Sequence, residues 1–397
     1  MAEEQGGNAT APPPWEGLPE SILLRASAFL PLRDRVRMAC VNKHWLAAVT
    51  GLAWRAPRFP PALPWLIFPS TEEPTFFSAL DRRFHRLCHL PADVRRARLC
   101  GSAAGGWLVL TLNSRHAYAL YHLDSGRRIA LPPQLVAPRG TVFPLVVRAA
   151  TLSAPPLHRR HMVGAIVLAA ARSAAAFWTP GRESWFSDGG LLDVTPQDVI
   201  FYGGGFYFVT PDEDILTFWP MENAEGDVAV ARLDYDMEQR EDFDVDVAFA
   251  AVLVTTRRYL VESRGRLLMV VRYIYHETGT RLLRVFGFRV TAPFTDVDMP
   301  RATWDDLGNR LDGRMLFLGP GCSRSFEVAH YDGFQNQESM IFFLDESFAT
   351  VPSADGRRLY SFTDMGRYSM RGMNSEPWPP GPRPTSSDNA PPTWWFL

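Results

Sequence analysis

The chain has 397 residues, 46% of them hydrophobic, which is enough for one large core and a small accessory module. Its 41 basic and 43 acidic residues leave a net charge of −2, so we expect no whole-chain attraction to nucleic acid or to an anionic membrane. The four cysteines, Cys40, Cys88, Cys100 and Cys322, are too sparse for a secreted disulfide scaffold. A reducing, intracellular compartment fits this composition.

Residues 1–14 are rich in Gly, Ala and Pro, and they offer too little apolar surface to offset the entropy of ordering, so we expect a disordered arm. The arm lacks the basic start and apolar run of a secretory signal. The longest apolar-rich stretch, residues 162–171, is far shorter than the roughly 20 residues that cross a bilayer. The sequence therefore predicts a soluble protein of the cytoplasm, the nucleus or both.

Residues 18–49 carry apolar side chains at helical spacing, which predicts three short helices within a module at about 15–55. Pro19 suits a first helical turn, and Pro31 is expected to end the first helix. Asp34 and Asn42 can cap the second and third helices by accepting hydrogen bonds from free backbone N–H groups. A module of this size rarely builds a sufficient core alone, so its apolar faces are expected to need a partner surface.

Residues 56–64 are rich in proline and predict a stiff linker, after which the apolar period changes from helical to strand-like. The exception is Pro91 to Leu99, which reads as a short helix. Glycines precede apolar strand-like runs at intervals that resemble the roughly 40 to 50 residues of a propeller blade, with loop insertions explaining the longer steps. These glycines are Gly106, Gly164, Gly205, Gly265 and Gly313. The sequence thus predicts a mainly β fold, an irregular propeller of about six blades over residues 65–372.

Two further expectations concern the ends of this β region. Residues 77–81 resemble residues 360–364, as though equivalent strands served the first and last blades and closed the ring. Residues 373–397 read as a Pro- and Ser-rich tail that ends in aromatic residues. The sequence does not decide whether this tail packs on the propeller, binds a partner or stays free.

The N-terminal helices resemble the F-box. The resemblance rests on residues 18–23, Phe29-Leu30-Pro31, Asp34 and the run Ala39 to Trp45, in matching order and spacing. It implies binding to a Skp-type adaptor, which links to a cullin scaffold and a RING subunit. The resemblance also implies which residues contact the adaptor or support that contact. They are Leu18, Pro19, Ile22, Leu23, Cys40 and Trp45.

The β region resembles the C-terminal, kelch-like propeller of a large plant class of F-box proteins that carries a domain of unknown function. The residues concerned are Leu63 to Leu66, Gly101-Ser102, Gly105 to Leu108 and Ile341 to Asp345. The implied function is that of a substrate-receptor subunit of a Skp-cullin-F-box ubiquitin ligase, non-catalytic itself, whose propeller binds an unknown target protein. The alternative is a non-degradative propeller protein that binds or inhibits a partner such as a kinase, with a vestigial F-box.

Several residue patterns suggest other kinds of site, for zinc, phosphate or a cation. His85, Cys88, His89 and Cys100 could hold zinc, but their spacing matches no standard finger, so we expect no metal. A glycine loop that binds phosphate is followed by the N-terminus of a helix, whereas Gly203 to Gly205 is followed by a strand. We therefore expect a tight turn at these glycines. The acidic stretch 234–246 lacks the spacing of a calcium loop and is expected to be solvated, although a basic target or a cation remains an alternative for it.

Catalytic machinery is not expected either. Asp212, Glu213 and Asp214 offer paired carboxylates, but their place between two strands after Pro211 is typical of a turn. The sequence has no G-x-S-x-G elbow and no H-E-x-x-H helix. We therefore expect neither enzymatic activity nor a cofactor.

Overall fold

The computed structural model describes the chain except for a set of terminal and loop residues. The predicted arm and most of the predicted linker lie outside the described residues. The residues left undescribed are 1–14, 16, 31–36, 51–61, 88–89, 104, 113–116, 138–139, 157–160, 189–191, 193, 223–227, 239–253, 296–297, 332, 346–349, 353–357, 389 and 397. The chain divides into two compact units, Met1–Leu63 and Pro64–Leu397.

The first unit is helical. Helix α1 (Glu20–Phe29) follows Pro19 directly, residues 37–39 form a helical turn, and helix α2 (Lys43–Thr50) follows. The backbone N–H of Trp45 donates to Asn42 Oδ1 at 2.8 Å, so the predicted cap of the last helix is confirmed. The prediction for Asp34 falls outside the described residues. Among the described residues, no helix combines the length and the apolar character that a membrane span requires.

The described part of the second unit is built of strands, with a short α-helix, α3 (Ala92–Arg95), where a slightly longer helix was predicted, and 3-10 helices at Val328–His330 and Gln335–Gln337. Thirty strands in the described residues form seven sheets, named A to G in chain order. Sheet A contains β1 (Trp65–Phe68), β2 (Thr75–Ser78), β3 (Arg83–Arg86) and β30 (Thr393–Trp395). Sheet B contains β4 (Arg98–Ala103), β5 (Trp107–Leu112), β6 (Ala117–His122) and β7 (Arg128–Leu131).

Sheets C and D follow along the chain. Sheet C contains β8 (Gln134–Val136), β9 (Val142–Leu152), β10 (Val163–Ala169), β11 (Arg172–Trp178) and β12 (Trp185–Phe186), and β9 pairs with both β8 and β10. Sheet D contains β13 (Asp198–Tyr202), β14 (Gly205–Val209), β15 (Ile215–Glu222) and β16 (Val228–Asp234).

Sheets E, F and G complete the unit. Sheet E contains β17 (Asp236–Met237), β18 (Val254–Ser263), β19 (Arg266–Tyr275), β20 (Gly279–Ala292) and β21 (Arg301–Asp306). Sheet F contains β22 (Arg314–Leu318), β23 (Arg324–Glu327), β24 (Met340–Phe343), β27 (Gly366–Ser369) and β28 (Asn374–Pro377). Sheet G has three strands, β25 (Thr350–Pro352), β26 (Arg358–Ser361) and β29 (Ser386–Ser387).

Sheets A to F form a ring. One strand of each sheet contacts its counterpart in the next, in the order β30, β4, β9, β13, β18 and β23, so these are the inner strands. Between sheets F and A, Trp394 Nε1 donates to the carbonyl oxygen of Leu318 at 2.7 Å. The predicted mainly β, propeller-like fold of about six blades is therefore confirmed.

Packing between sheets explains the apolar runs of the sequence. In β14 and β22 every residue is buried, because each sheet is covered on both faces by its neighbours. Separate clusters of buried side chains fill the spaces between sheets B and C, C and D, D and E, and E and F. The loop Asp124-Ser125-Gly126 joins β6 to β7, with Gly126 at a φ of +67° that favours glycine.

The predicted C-terminal boundary and the predicted ring closure are both wrong. Residues 373–397 include strands of sheets F, G and A, so they belong to the propeller and not to a separate tail. The ring closes through β30, which pairs with β1 in the register Trp65 to Trp395. Residues 358–361 pair within sheet G instead. The C-terminal aromatic residues close the ring because their burial completes sheet A.

Candidate functional site

Among its described residues, the helical unit has a core of few side chains. Leu23, Met38 and Ala48 are buried together, with Leu18, Leu30 and Trp45 packed partly against them. Each helical element contributes one of the three buried residues. Because so small a cluster removes little apolar area from water, tertiary stabilisation within the unit is limited.

Several large apolar side chains of this unit are exposed. Ile22 is 52% exposed, although the adjacent Leu23 is only 1% exposed. Trp15, Val41 and Leu46 are also among the exposed large hydrophobic residues. Exposed apolar side chains in a unit with so small a core are typical of a protein-binding surface. We name Trp15, Ile22, Val41 and Leu46 the apolar surface.

The segment before α1 is held against α2 by defined contacts. The rings of Trp15 and Trp45 meet edge to face, with centroids 6.2 Å apart, and Trp45 Nε1 donates to the Trp15 carbonyl oxygen at 3.3 Å. His44 Nε2 lies 2.9 Å from the Leu18 carbonyl oxygen. These contacts order the residues that lead into α1, so Pro19 and Ile22 are presented from a fixed backbone.

The structure separates the six predicted adaptor-binding residues into two groups. Pro19, Ile22 and Cys40 are exposed, so they can contact a partner directly. Leu18 and Trp45 are half-buried, and Leu23 lies in the core, where it can only support the surface. The contact role of these residues stays a prediction.

Sequence reasoning did not select Trp15, Val41 or Leu46 as contacts. Leu46 follows the helical apolar spacing of its neighbours, which is also the pattern of a core residue. Trp15 lies just before the predicted helices and carries no periodic signal. The signal that was available is the surplus of apolar residues over what one small core can bury.

The other candidate patterns of the sequence resolve into turns and strands. Gly203 and Gly204 form the tight turn between β13 and β14, as predicted. Asp212 to Asp214 form the turn between β14 and β15, also as predicted, with the Asp214 N–H donating to Thr210 Oγ1 at 3.1 Å. Burial, followed by the nearby charges of Asp212 and Asp234, raises the pKa of Asp214.

The candidate metal ligands weighed from the sequence do not meet in the residues that are described. His85 Nε2 lies 2.8 Å from Asp81 Oδ2, and Cys100 Sγ lies 3.1 Å from Thr111 Oγ1. Cys88 and His89 lie outside the described residues. Within the part of the chain that the structure describes, no group of three His, Cys, Asp or Glu side chains is arranged to hold a metal ion.

Two family models match the chain. The model of the F-box domain matches residues 15–53, which contain the apolar surface. The model described as the KIB1-4 beta-propeller matches residues 76–369, well over half of the chain. The chain belongs to the KIB1-4 β-propeller family. This F-box protein therefore joins a helical F-box to a propeller, whereas a search of curated proteins finds no match.

Solved structures similar to this KIB1-4 family propeller are distant. TolB from Acinetobacter baumannii is 11% identical, with a TM-score of 0.36, over 91% of this chain and 72% of TolB. The Cps50 (Swd1) β-propeller domain of Myceliophteria thermophila is 10% identical, with a TM-score of 0.35, over 83% of this chain and 88% of that domain. Apo AztD from Citrobacter koseri is 11% identical, with a TM-score of 0.33, over 84% of this chain and 98% of AztD. Such scores carry no argument about function.

Proposed function

We propose that this F-box protein is the substrate-receptor subunit of a Skp-cullin-F-box ubiquitin ligase. Its F-box would bind a Skp-type adaptor, and through it the cullin and RING subunits, while the propeller binds the target protein. The observation that carries the proposal is the apolar surface on a small helical unit matched by the F-box model. A ligase of this kind is expected in the cytoplasm, the nucleus or both.

The mechanism is one of proximity. A receptor raises the local concentration of the target near a ubiquitin-loaded enzyme and contributes no catalytic side chain to the transfer. The two compact units divide the work, because the apolar surface lies within Met1–Leu63 and the propeller within Pro64–Leu397. Loops at the ends of the propeller sheets are the natural elements for choosing the target, since binding residues concentrate on loops held by a rigid scaffold.

Adaptor capture by the full chain tests the proposal. We expect the wild-type chain to retain a Skp-type adaptor during co-purification and Ile22→Ser to retain at least about ten-fold less, since interface hot spots are large and apolar. Met373→Ser is the matched control, because Met373 is also exposed but lies in the propeller.

A second measurement distinguishes degradation from simple binding. We expect the wild-type chain, assembled with cullin and RING subunits, to support ubiquitin transfer to proteins that co-purify with it, and Ile22→Ser to abolish that transfer. A wild-type chain that captures no adaptor would overturn the ligase proposal. It would then favour a non-degradative protein that binds or inhibits a partner such as a kinase through the propeller.

A further inference from the structure

Residues from non-neighbouring sheets meet at the axis of the propeller. The Gly321 N–H, in the turn between β22 and β23, donates to Asp198 Oδ1 of β13 at 2.6 Å, and the Leu260 N–H of β18 donates to Asp198 Oδ2 at 2.8 Å. A Cβ at Gly321 would lie 2.5 Å from the carbonyl oxygen of Ala150 in β9. Sheet F borders sheets E and A, so contacts from its turn to sheets C and D must cross the axis. We name Ala150, Asp198, Leu260 and Gly321 the axial layer.

Three arginines lie on inner strands, each two or three positions before a residue at the level of the axial layer. Arg148 precedes Ala150 on β9, and Arg257 precedes Leu260 on β18. Arg98 precedes Gly101 on β4, and a Cβ at Gly101 would clash with the same Ala150 carbonyl oxygen. With a rise of about 3.3 Å per residue, their backbones lie roughly 7–10 Å from the axial layer. We name Arg98, Arg148 and Arg257 the three-arginine cluster.

The charge effects on Arg148 agree with this placement of the three residues at one end of the central channel around the axis. Partial burial, followed by the positive charges of Arg98 and Arg257, lowers the pKa of Arg148. Sheets C and E, which carry Arg148 and Arg257, are separated by sheet D in the ring. Their charges therefore act on each other across the channel, where three positive charges repel one another.

A β-bulge directs Arg148 out of the sheet. In the ladder between β9 and β10, Ala149 pairs with Ile166 and Val147 pairs with Val167, so Arg148 is the extra residue. Val147 and Ala149 are buried, whereas Arg148 is exposed. Bulges re-aim a side chain and are common next to binding sites. Here the bulge falls at Arg148, on the inner strand of sheet C.

Some other arginines of the propeller form ion pairs with carboxylates, which partly neutralise their charge. Arg258, next to Arg257, contacts Glu213 at 3.1 Å, and Arg264 forms two hydrogen bonds to Glu327. In the described part of the chain, neither Arg148 nor Arg257 forms an ion pair. The groups that shift the pKa of Arg148 include no carboxylate.

We propose that the three-arginine cluster binds an anion that carries phosphate groups. The guanidinium presents a planar fork of donors that matches phosphate oxygens, and a multiply charged anion relieves the repulsion among the three cations. This site is separate from the apolar surface of the F-box and does not depend on the proposed ligase function.

Two sources could supply this chemistry, a free polyphosphate and a phosphate ester on a bound protein. Both bring phosphate oxygens with a multiple negative charge, about −1.5 to −2 for a phosphoserine at pH 7. The experiment therefore uses inorganic tripolyphosphate as the first probe. Its second probe is a phosphoserine peptide, with the unphosphorylated peptide as the comparison.

Isothermal titration calorimetry on the full chain tests the proposal. We expect tripolyphosphate to bind, the affinity to fall as salt rises, and Arg148→Gln to weaken binding at least about ten-fold, the loss of one charge-assisted contact. Arg310→Gln is the matched control, because it removes an equal charge from an exposed turn residue. We expect the control to change the affinity by less than about two-fold.

A thermal unfolding measurement without the anion separates binding from folding. Arg148→Gln removes one of three repelling charges, so we expect its Tm to equal or exceed that of the wild type. If tripolyphosphate displaces the phosphoserine peptide, both probes bind at the same site. If Arg148→Gln leaves the binding of both probes unchanged, that site is not the three-arginine cluster.

Two further results would overturn the proposal. One is a wild-type chain that does not bind tripolyphosphate. The other is equal weakening by Arg148→Gln and Arg310→Gln, since the attraction would then be non-specific.

Discussion

Trp65 and Trp395 pair directly across the antiparallel ladder that joins the first strand of the propeller to the last. Their rings meet edge to face, with centroids 5.2 Å apart. Sheet A therefore combines the beginning and the end of the domain. In this closed ring, β30 covers the edge that β1 would otherwise expose.

Trp394, next to Trp395, is expected to contribute much of the stability of the closed ring. Trp394 is fully buried, donates from Nε1 to Leu318 and meets the ring of Phe317 edge to face at 5.0 Å. We expect Trp394→Ala to lower the free energy of unfolding by about 3–5 kcal/mol, because it removes this contact and leaves a cavity. Urea denaturation followed by tryptophan fluorescence measures the change.

Met373→Ala serves as the control for that substitution, since its side chain is 60% exposed. We expect the control to stay within about 0.5 kcal/mol of the wild type. Equal effects of Trp394→Ala and Met373→Ala would contradict closure by the C-terminal strand.

In the helical unit, two adjacent residues should give opposite results. Leu23→Ala removes a core side chain, and we expect it to destabilise the unit by about 2–5 kcal/mol, enough to unfold a module with so small a core. Ile22→Ala removes an exposed side chain and should leave the helices intact. Hydrogen exchange of residues 20–29, resolved by mass spectrometry, separates the two outcomes. Equal protection in both variants would show that Leu23 does not support the unit.

Arg272 links sheets E and F through a buried hydrogen-bond network. Its guanidinium donates to Thr280 Oγ1, Tyr259 OH and the Leu344 carbonyl, and at 2.8 Å to Asp364 Oδ2. We expect Arg272→Met to cost about 3–5 kcal/mol, because Asp364 keeps its hydrogen bonds from Thr280 but loses its cationic partner. Guanidinium denaturation measures this cost.

Arg281→Met is the matched control for Arg272, as Arg281 is exposed and donates locally to Thr278 Oγ1. We expect it to cost less than about 1 kcal/mol. If Arg272→Met were as mild as the control, the network would not hold the two sheets together.

The ion pair between Arg264 and Glu327 predicts a pH dependence of stability. Hydrogen bonding to Arg264 is the largest of the effects that lower the pKa of Glu327 below its ordinary value of 4.5. A lowered pKa stabilises the fold above the unfolded-state value, and that stabilisation is lost as pH falls through the folded-state value. We expect Glu327→Gln to cost about 0.5 kcal/mol at pH 7, since both side chains reach solvent.

Thermal unfolding from pH 7 to pH 3 checks this prediction. The difference between wild type and Glu327→Gln should be constant down to about pH 4.5 and shrink below it. Glu277→Gln, an exposed residue outside any ion pair in the described part of the chain, should show no such trend. A difference that grows towards low pH would have the wrong sign.

The sequence was most informative where structure is local. The apolar run of Gly205 to Val209, with its glycine turn, gives β14 with every residue buried. The N-cap at Asn42 also follows from short-range chemistry. Such elements are predictable because their hydrogen-bond partners lie within a few residues or in the adjacent hairpin strand.

The errors arose where partners are distant along the chain. Strand β30 has three residues within a Pro-rich stretch, and it forms only because β1 offers a free edge from the other end of the domain. The exposure of Ile22 beside the buried Leu23 depends on where Met38 and Ala48 pack. Helical spacing alone does not distinguish two adjacent apolar residues at the edge of a face.

The bulge at Arg148 was hidden for a similar reason. A bulge is defined by the register of two strands, and the sequence of β9 alone reads as an ordinary apolar run. The three-arginine cluster could not be predicted either, since its members lie on strands of sheets B, C and E. Only the ring brings them to the same end of the channel.

Placing β30 beside β1 also constrains the order in which the chain can be completed during synthesis. Sheet A lacks its inner strand until Thr393–Trp395 has left the ribosome, so the first blade to be made is the last to be finished. A message truncated before the codons for Thr393–Trp395 would yield a protein whose sheet A lacks its inner strand, and therefore an open ring. The edge of β1 would be exposed in that product, and quality-control proteases could recognise it.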